Sequence, residues 1–364
     1  MRIGIPHYGM MWVLWQRFFE PFGVEVVIPP LNSKRSLDLG TRHCPEMLCV
    51  PCKLLFGNYV EALEMGIDDL ALLGGQNTCR LGYSVQTAAE RLRELGYSFR
   101  PHSFDIFKPQ TEIYRLLREL ANPSLPVLVQ AYRSLVQKVN LVEDLEKLAH
   151  RTRARELKRG QTSAVYQELL PKIAQAWTSA ELASLRREAE QRYQAVARRD
   201  GPEPLRIAIV GDPYSMSEPF FNLGLEEDLG HLGVEVHRGF WLSNFTRETI
   251  LDRLRDRTHY AQVQQAAAPY VRWELGIFAR QTVGEAVLFA RQGFDGLIHL
   301  APFTCTPETV ARDIVPRVAR DYGVPLLTLS LDEHTGRSGQ QSRLEAFVDV
   351  LERRRAKERL APSV

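Results

Sequence analysis

The stretch GVEVVIPP (Gly23–Pro30) joins a run of β-branched residues to a pair of prolines, which is typical of a short buried strand and its end. A second stretch, GVEVHRG (Gly233–Gly239), begins in the same way far along the chain. Each follows a segment that has helical spacing of its apolar residues. The two stretches therefore indicate two regions of related design, one near each end of the chain.

The first region alternates strands with helices. RIGIP (Arg2–Pro6) is a short apolar run, CKLLFGNYVEALEMG (Cys52–Gly66) has helical spacing, and DDLALLGG (Asp68–Gly75) reads as a buried strand that ends in glycines. Strands that alternate with helices favour a parallel sheet with helices packed on its faces. We therefore predict an N-terminal α/β domain.

The last region repeats this pattern. A buried strand is predicted over Arg206–Val210, and FDGLIHLAPFTC (Phe294–Cys305) and VPLLTLSLDEHTG (Val324–Gly336) each contain a further strand that ends in loop residues. The segment between the two α/β regions is rich in Leu, Glu, Arg and Lys at helical spacing. The predicted domains are residues 1–106 (α/β), 107–203 (helical) and 204–364 (α/β).

Composition limits the classes of function. The chain has 364 residues, 25% of them charged, and a formal net charge of +2, which gives no reason to expect nucleic-acid binding as the main activity. The excess of basic residues between Arg151 and Arg199 is interpreted as solvated helix faces, with an acidic partner or anionic ligand as the alternative. No apolar run is long enough to suggest a membrane span, and the first residues lack the features of a signal peptide. We expect a cytoplasmic protein.

The cysteines are the most informative residues. Cys44, Cys49 and Cys52, in HCPEMLCVPCK (His43–Lys53), have the spacing C-x4-C-x2-C, which plant-type iron–sulfur ferredoxins complete with a distant fourth cysteine. Cys79 and Cys305 are the distant candidates here. Buried packing thiols remain an alternative. Structural zinc is disfavoured, because it usually requires two close pairs and the chain has one C-x2-C pair.

The predicted positions of Cys79 and Cys305 strengthen the metal interpretation. Cys79 follows the strand in LALLGG and Cys305 follows the strand in GLIHL, so both lie at carboxyl ends of strands, where open α/β sheets bind ligands. Each is expected to precede a helix, whose N-terminus favours a negatively charged ligand. Soft thiolates with few nearby histidines suit an iron–sulfur cluster or zinc, and we favour the cluster.

Several motifs, taken together and in order, carry a family resemblance. They are RIGIP, CVPCK followed by FGN, TCRLGY, GDPYSMSEPFFN, DGLIHLAPFTCTPE and LSLDEHTGRSGQQSRLEAFVD. With these motifs the chain resembles the 2-hydroxyacyl-CoA dehydratase superfamily over nearly its whole length. Within the superfamily it is most similar to the branch called acyl-CoA dehydratase activase-related, or CoA protein activase.

The resemblance implies flavodoxin-like α/β domains that hold an oxygen-sensitive [4Fe-4S] cluster or, in some branches, a double-cubane [8Fe-9S] cluster. The family's cysteines fall on Cys49, Cys79 and Cys305; Cys52 and Cys44 are additional candidate ligands. The partner it implies is a separate ATP-dependent activator, an actin-like ATPase with its own iron–sulfur cluster. The chain has no G-x-x-x-x-G-K-[ST] loop, so we do not expect it to hydrolyse ATP itself.

Three functions are compatible with this pattern. The first is an iron–sulfur redox protein that receives a low-potential electron; in the dehydratases that electron produces a ketyl radical that eliminates water from a 2-hydroxyacyl-CoA. The second is a non-enzymatic iron–sulfur accessory or scaffold protein. The third is a bilobed protein that binds a small ligand. A homodimer or heterodimer is expected, and whether the chain is an enzyme stays open.

One departure from the family bears on these alternatives. GIFA (Gly276–Ala279) stands where the resemblance predicts a polar Gly-Gly-His-Gly-like loop, so the sequence questions a substrate role for this loop. The turn at Gly211–Pro219 resembles an anion-receiving strand-to-helix turn, but it lacks the G-x-G-x-x-G pattern of a dinucleotide site.

Some charged residues are secondary candidates. Lys53 and Arg80 are positioned in the sequence to offset the charge of a thiolate cluster, and Glu308 follows Cys305 by one helical turn. The group Asp332, Glu333 and His334 lies at a strand end, where it either lines a ligand pocket or stabilises its own loop.

Overall fold

The computed structural model describes residues 2–74, 79–105, 109–120, 124–247, 257–273 and 278–360. Within these ranges the chain forms two four-stranded, wholly parallel sheets with helices between the strands. The predicted α/β fold with two flavodoxin-like parallel-sheet domains is confirmed. Of the helices that the structure describes, none combines the length and the apolar character that crossing a bilayer requires.

The first sheet has the strand order β2-β1-β3-β4. Its strands are β1 (Arg2–Gly4), β2 (Glu25–Val27), β3 (Asp69–Gly74) and β4 (Arg100–Asp105). Strand β3 is buried along its whole length, as its unbroken apolar sequence predicts for a central parallel strand. Strand β4 lies at the edge of the sheet, a position that tolerates Pro101, which has no N–H to donate to a further strand.

The helices that accompany this sheet are α1 (Trp12–Trp15), a 3-10 turn (Glu20–Phe22), α2 (Lys34–His43), α3 (Val50–Glu64), α4 (Arg80–Glu94) and α5 (Pro109–Leu120). Helix α3 is almost entirely buried. The hydroxyl of its Tyr59 accepts a hydrogen bond of 2.9 Å from the backbone N–H of Leu73, which ties α3 to β3. Helix α3 is therefore a central element of the first unit, and this packing fixes the position of its first turn.

Three helices follow: α6 (Leu125–Arg153), α7 (Gln161–Gln175) and α8 (Ser179–Gln194). The chain divides into two compact units, and these helices contribute residues to both. The first unit comprises residues 1–142, 168–188 and 304–306; the second comprises residues 143–167, 189–303 and 307–364. The predicted boundaries at residues 106 and 203 stay predictions.

The second sheet has the order β6-β5-β7-β8. Its strands are β5 (Leu205–Gly211), β6 (Val234–Arg238), β7 (Gly296–Pro302) and β8 (Leu326–Leu331). Gly211 has a φ of +140°, and a Cβ there would lie 2.2 Å from the carbonyl oxygen of Leu300, so only glycine fits.

The helices that accompany the second sheet are α9 (Pro213–Ser217), α10 (Leu225–His231), α11 (Ser243–Arg247), α12 (His259–Ala267), α13 (Ala279–Arg291), α14 (Thr306–Asp321) and α15 (Arg337–Leu360). A core of small and branched residues fills the space between β5, β7 and the helices α12, α13 and α14. Strand β7 is buried throughout.

Candidate functional site

Two glycines bring helices α2 and α3 into backbone contact. A Cβ on Gly40 would lie 1.9 Å from the carbonyl oxygen of Lys53, and a Cβ on Gly57 would lie 2.0 Å from the carbonyl oxygen of Ser36. Neither position has room for a side chain. This contact sets Cys44, which follows α2, beside the first turn of α3.

Cys49 and Cys52 occupy the start of α3. Cys49 is the N-cap residue, and its carbonyl oxygen accepts a hydrogen bond of 3.0 Å from the N–H of Cys52. Pro51, at a position whose N–H would be unpaired in any helix, stiffens this turn. The two Sγ atoms are 3.5 Å apart. The predicted C-x2-C pair is therefore a close dithiol at a helix N-terminus.

Cys79 and Cys305 also precede helices, as the sequence predicts. Cys79 is the N-cap residue of α4, and Cys305 directly precedes α14. The short segment Thr304–Thr306 belongs to the first unit, and there Cys305 forms one buried cluster with Cys49 and Cys52, against Leu48 and Leu81. Cys44 and Cys79 are half-buried.

The electrostatics of these thiols disfavour free thiolates. The hydrogen bond with Cys49 and then burial raise the pKa of Cys52 well above its ordinary value, and charge on Cys49, Cys79 or Cys44 would raise it further. Burial raises the pKa of Cys44 to about 12, although the ammonium of Lys53 opposes the shift. Cys44 and Cys52 are therefore mainly protonated at neutral pH, and a bound cation would stabilise their ionised form.

Two cations hold the loop that carries Cys49. Lys53 is 2% exposed, and its Nζ donates to the carbonyl oxygen of Glu46 at 3.1 Å. One guanidinium nitrogen of Arg80 donates to the carbonyl oxygens of Met47 (2.5 Å) and Thr304 (3.0 Å). Arg80 thus joins the loop before Cys49 to the turn before Cys305, while its own backbone follows Cys79.

Thr304 has a strained backbone. Its φ is +63°, a left-handed conformation that is rare for a β-branched residue. Its hydroxyl is buried and has no hydrogen-bond partner among the residues that the structure describes. Such strain persists only where the surroundings impose it, and it is common at functional sites. The strained residue lies directly before the Cys305 thiol.

Glu308 has a different environment from the one its position beside Cys305 suggests. It is fully buried in the second unit, where its carboxylate contacts Nε2 of His299 at 2.7 Å and accepts a hydrogen bond of 2.9 Å from the Thr282 hydroxyl. His299 is also fully buried, and its Nδ1 has no partner among the described residues. Sequence analysis missed His299, although a lone histidine within the apolar run of β7 is a detectable signal.

Asp212 caps the short helix α9. Its carboxylate accepts hydrogen bonds from the backbone N–H (2.9 Å) and the hydroxyl (2.7 Å) of Ser215. Burial raises the pKa of Asp212 to about 6, and the charge of Glu308 adds to this shift although the bonds from Ser215 oppose it. The Gly211–Pro219 turn is thus occupied by its own side chains, which leaves the anion interpretation without support from this geometry.

The loop after β8 also uses its polar groups internally. Asp332 accepts hydrogen bonds from the Thr335 hydroxyl (2.8 Å) and from the backbone N–H of His334 (3.0 Å), and the His334 side chain is exposed. This arrangement is the loop-stabilising alternative. A catalytic role for Asp332, Glu333 or His334 stays a prediction.

The donor set of the first unit fits a thiolate-ligated metal group in its chemistry. In the part of the chain that the structure describes, no set of three or more His, Cys, Asp or Glu side chains is arranged to hold one metal ion. A cluster of several irons makes a different demand, since each cysteine binds its own iron. Soft, buried donors from two helix N-termini, with the half-buried Cys79 at a third, meet the demand for ligand type. Cys49 and Cys52 would have to separate to reach different irons.

The comparisons with known proteins agree with the fold. A family model described as 2-hydroxyglutaryl-CoA dehydratase, D-component, matches residues 16–351, a range that includes all five cysteines. No curated protein matches the chain. The chain therefore belongs to the 2-hydroxyglutaryl-CoA dehydratase D-component family, within the 2-hydroxyacyl-CoA dehydratase superfamily.

Proposed function

We propose that this chain is an iron–sulfur protein of the dehydratase type that receives a low-potential electron from a separate ATP-dependent activator. The observation that carries the proposal is the buried cluster of Cys49, Cys52 and Cys305. Cys44 and Cys79 also act on this cluster, because charge on either thiol would raise the pKa of Cys52. Buried thiols of this kind, which resist ionisation, become stable as thiolates when a metal group binds them. A [4Fe-4S] or double-cubane cluster would supply one-electron transfer there.

Each residue of the site has a separate task in this proposal. Cys49, Cys79 and Cys305 are the first ligands, and Cys52 and Cys44 complete the set or serve a larger cluster. Lys53 and Arg80 hold the ligand-bearing backbone through carbonyl oxygens and bring positive charge to a site that becomes negative. The helix N-termini of α3, α4 and α14 favour the same negative charge.

An accessory role, as in the CoA protein activase branch, is the second candidate. Of the GIFA segment, Gly276 and Ile277 lie outside the described residues. Ala279 is fully buried, and the Phe278 ring lies edge-on to Phe240 with centroids 6.2 Å apart. These side chains pack into the second unit and offer no polar group to a substrate, which favours a chain that passes electrons to another protein.

The test of the cluster is an analysis of iron and acid-labile sulfide after preparation without oxygen. About four iron and four sulfide per chain indicate a cubane, and about eight iron indicate a double cubane. Cys49→Ser, Cys79→Ser and Cys305→Ser are expected to lose the iron. Arg272→Ser, at an exposed position of the second unit, is the control that keeps it. A chain that takes up no iron or sulfide on anaerobic reconstitution contradicts the proposal and favours the small-ligand alternative.

A second measurement separates the two roles. The iron-loaded chain is mixed with an ATP-dependent activator of this superfamily, ATP and a 2-hydroxyacyl-CoA, and the loss of water from the thioester is followed. Turnover supports a dehydratase. ATP-dependent reduction of the chain without turnover supports the accessory role.

A further inference from the structure

The start of α3 has the geometry of a redox-active dithiol. The Sγ atoms of Cys49 and Cys52 are 3.5 Å apart, and a disulfide bond is about 2.05 Å long. Rotation of two side chains supplies an approach of this size. The turn that brings the two thiols together is itself hydrogen-bonded, since the Cys49 carbonyl oxygen accepts bonds from the N–H groups of Cys52 (3.0 Å) and Lys53 (3.3 Å).

The spacing of the pair makes its disulfide reversible. Two residues, Val50 and Pro51, separate the cysteines, so the bond would close a very small loop and remove little entropy from the unfolded chain. C-x-x-C pairs at helix N-termini are the arrangement in which dithiols exchange with external disulfides. The two thiols also differ in access: Cys49 is 8% exposed and Cys52 is 3% exposed.

We propose that Cys49 and Cys52 form a reversible disulfide in the metal-free chain, by exchange with a low-molecular-weight disulfide such as oxidised glutathione. The Cys49 sulfur, after loss of its proton, attacks one sulfur of glutathione disulfide and displaces one glutathione thiolate. The Cys52 sulfur, after loss of its proton, then attacks Sγ of Cys49 and displaces the second glutathione thiolate. The protein loses two electrons and two protons, and glutathione disulfide is reduced to two thiols.

The inference does not require that the chain bind a cluster. Its consequence for loading does rest on the proposed function: a disulfide withdraws two of the five candidate ligands, so reduction of the pair would have to precede cluster insertion. The pair would then protect these two thiols from irreversible oxidation while the site is empty.

The experiment uses the full, metal-free chain, prepared with a chelator and without oxygen. It is equilibrated in mixtures of reduced and oxidised glutathione, quenched with an alkylating reagent, and mapped by peptide mass spectrometry. We expect the number of alkylated cysteines to fall from five to three, with Cys49 and Cys52 joined in one peptide. Reduction should restore all five.

Single substitutions test the order of the two steps. Cys52→Ser should accumulate one glutathione on Cys49, because the second thiol is missing, whereas Cys49→Ser should accumulate far less on Cys52. Cys305→Ser is the matched control from the same cluster and should keep the disulfide. Circular dichroism confirms that each variant is folded.

Two results would overturn the inference: five alkylated cysteines in every glutathione mixture, or a disulfide that joins any other pair. The outcome is independent of the iron analysis. A chain that forms the disulfide but never takes up iron retains this inference and loses the proposed function, and a chain that takes up iron but never forms the disulfide does the reverse.

Discussion

The two sheets of this protein have the same topology but different chemistry at their strand ends. In each sheet the first strand pairs with the second and third strands, and the third pairs with the fourth. In each, the third strand leads to a cysteine that precedes a helix: Cys79 after β3 and Cys305 after β7. The shared plan places a thiol at the same topological point twice.

The difference lies in the side chains around that point. In the first unit, the α2–α3 contact adds Cys44, Cys49 and Cys52. Burial raises the pKa of Cys44, and the hydrogen bond with Cys49 and then burial raise the pKa of Cys52. In the second unit, the comparable region holds carboxylates that already have partners, such as Glu308 with His299. A strand end that satisfies its own polar groups is a structural site, whereas one that gathers several soft thiol donors has ligands of the type that a metal group requires.

The largest expected effect is at the buried group in which Glu308 contacts His299 and Thr282, in the second unit. Glu308→Ala removes the carboxylate that both His299 and Thr282 contact, and leaves the His299 ring and the Thr282 hydroxyl without this partner in the buried interior. We expect the free energy of unfolding to fall by about 3–5 kcal/mol, measured by urea denaturation. Glu345→Ala, on an exposed face of α15, is the control and should change it by less than about 0.5 kcal/mol. A loss below about 1 kcal/mol for Glu308→Ala would mean that the cluster is not structural.

The next effect tests the helix contact that builds the thiol site. Gly57→Ala would push a methyl group into the carbonyl of Ser36, so α2 and α3 must separate, at a cost of about 2–3 kcal/mol in the free energy of unfolding. The rate of Cys44 alkylation should rise as the helices part. Gly339→Ala, in α15 with no atom near the new methyl group, should instead stabilise the chain by about 0.5–1 kcal/mol. Equal effects of the two substitutions would refute the close contact.

Asp212, in the second unit, should make the free energy of unfolding depend on pH. Its pKa is raised from 3.8 to about 6, mainly by burial, so the folded state binds more protons than the unfolded state between these values. The contribution of Asp212 to stability therefore falls as the pH rises from about 4 to 6. Asp212→Asn keeps the cap and removes the charge. At pH 7 it should be more stable than the parent by about 1–2 kcal/mol, a figure reduced for partial solvent exposure, and the difference should vanish near pH 4.

The measurement is urea denaturation of both proteins at several pH values. Asp332→Asn is the matched control, because Asp332 also accepts hydrogen bonds from its own loop. A difference between Asp212→Asn and the parent that stays constant over pH 4–7 would contradict the raised pKa.

The smallest effect concerns the strained turn before Cys305. Thr304→Asn places a residue that tolerates positive φ where a β-branched residue now lies, and should raise the free energy of unfolding by about 1 kcal/mol or less. Thr309→Asn, within helix α14, is the control and should be neutral or slightly unfavourable. No gain at Thr304 would indicate that its backbone is unstrained.

Local pattern was enough to predict most strands of both sheets. Strand β3 (Asp69–Gly74) lies within the predicted run Asp68–Gly75, of which Gly75 is outside the described residues. Strand β5 matches the predicted Arg206–Val210 with one residue added at each end. Unbroken apolar runs between Gly and Pro signals are characteristic of central parallel strands. Strand β4 (Arg100–Asp105) escaped prediction, because an edge strand keeps polar residues and a proline that a central strand excludes.

The sequence by itself determined the parallel α/β class, the positions of Cys79 and Cys305 after their strands, and the helical segment that begins near Cys52. Only the tertiary structure decided that Cys305 packs against Cys49 and Cys52, that Gly40 and Gly57 join two helices, and that Glu308 pairs with His299. The physical reason is the separation along the chain between the residues that interact. Strand and helix signals arise between residues a few positions apart, whereas these contacts join segments that only the folded backbone brings within reach.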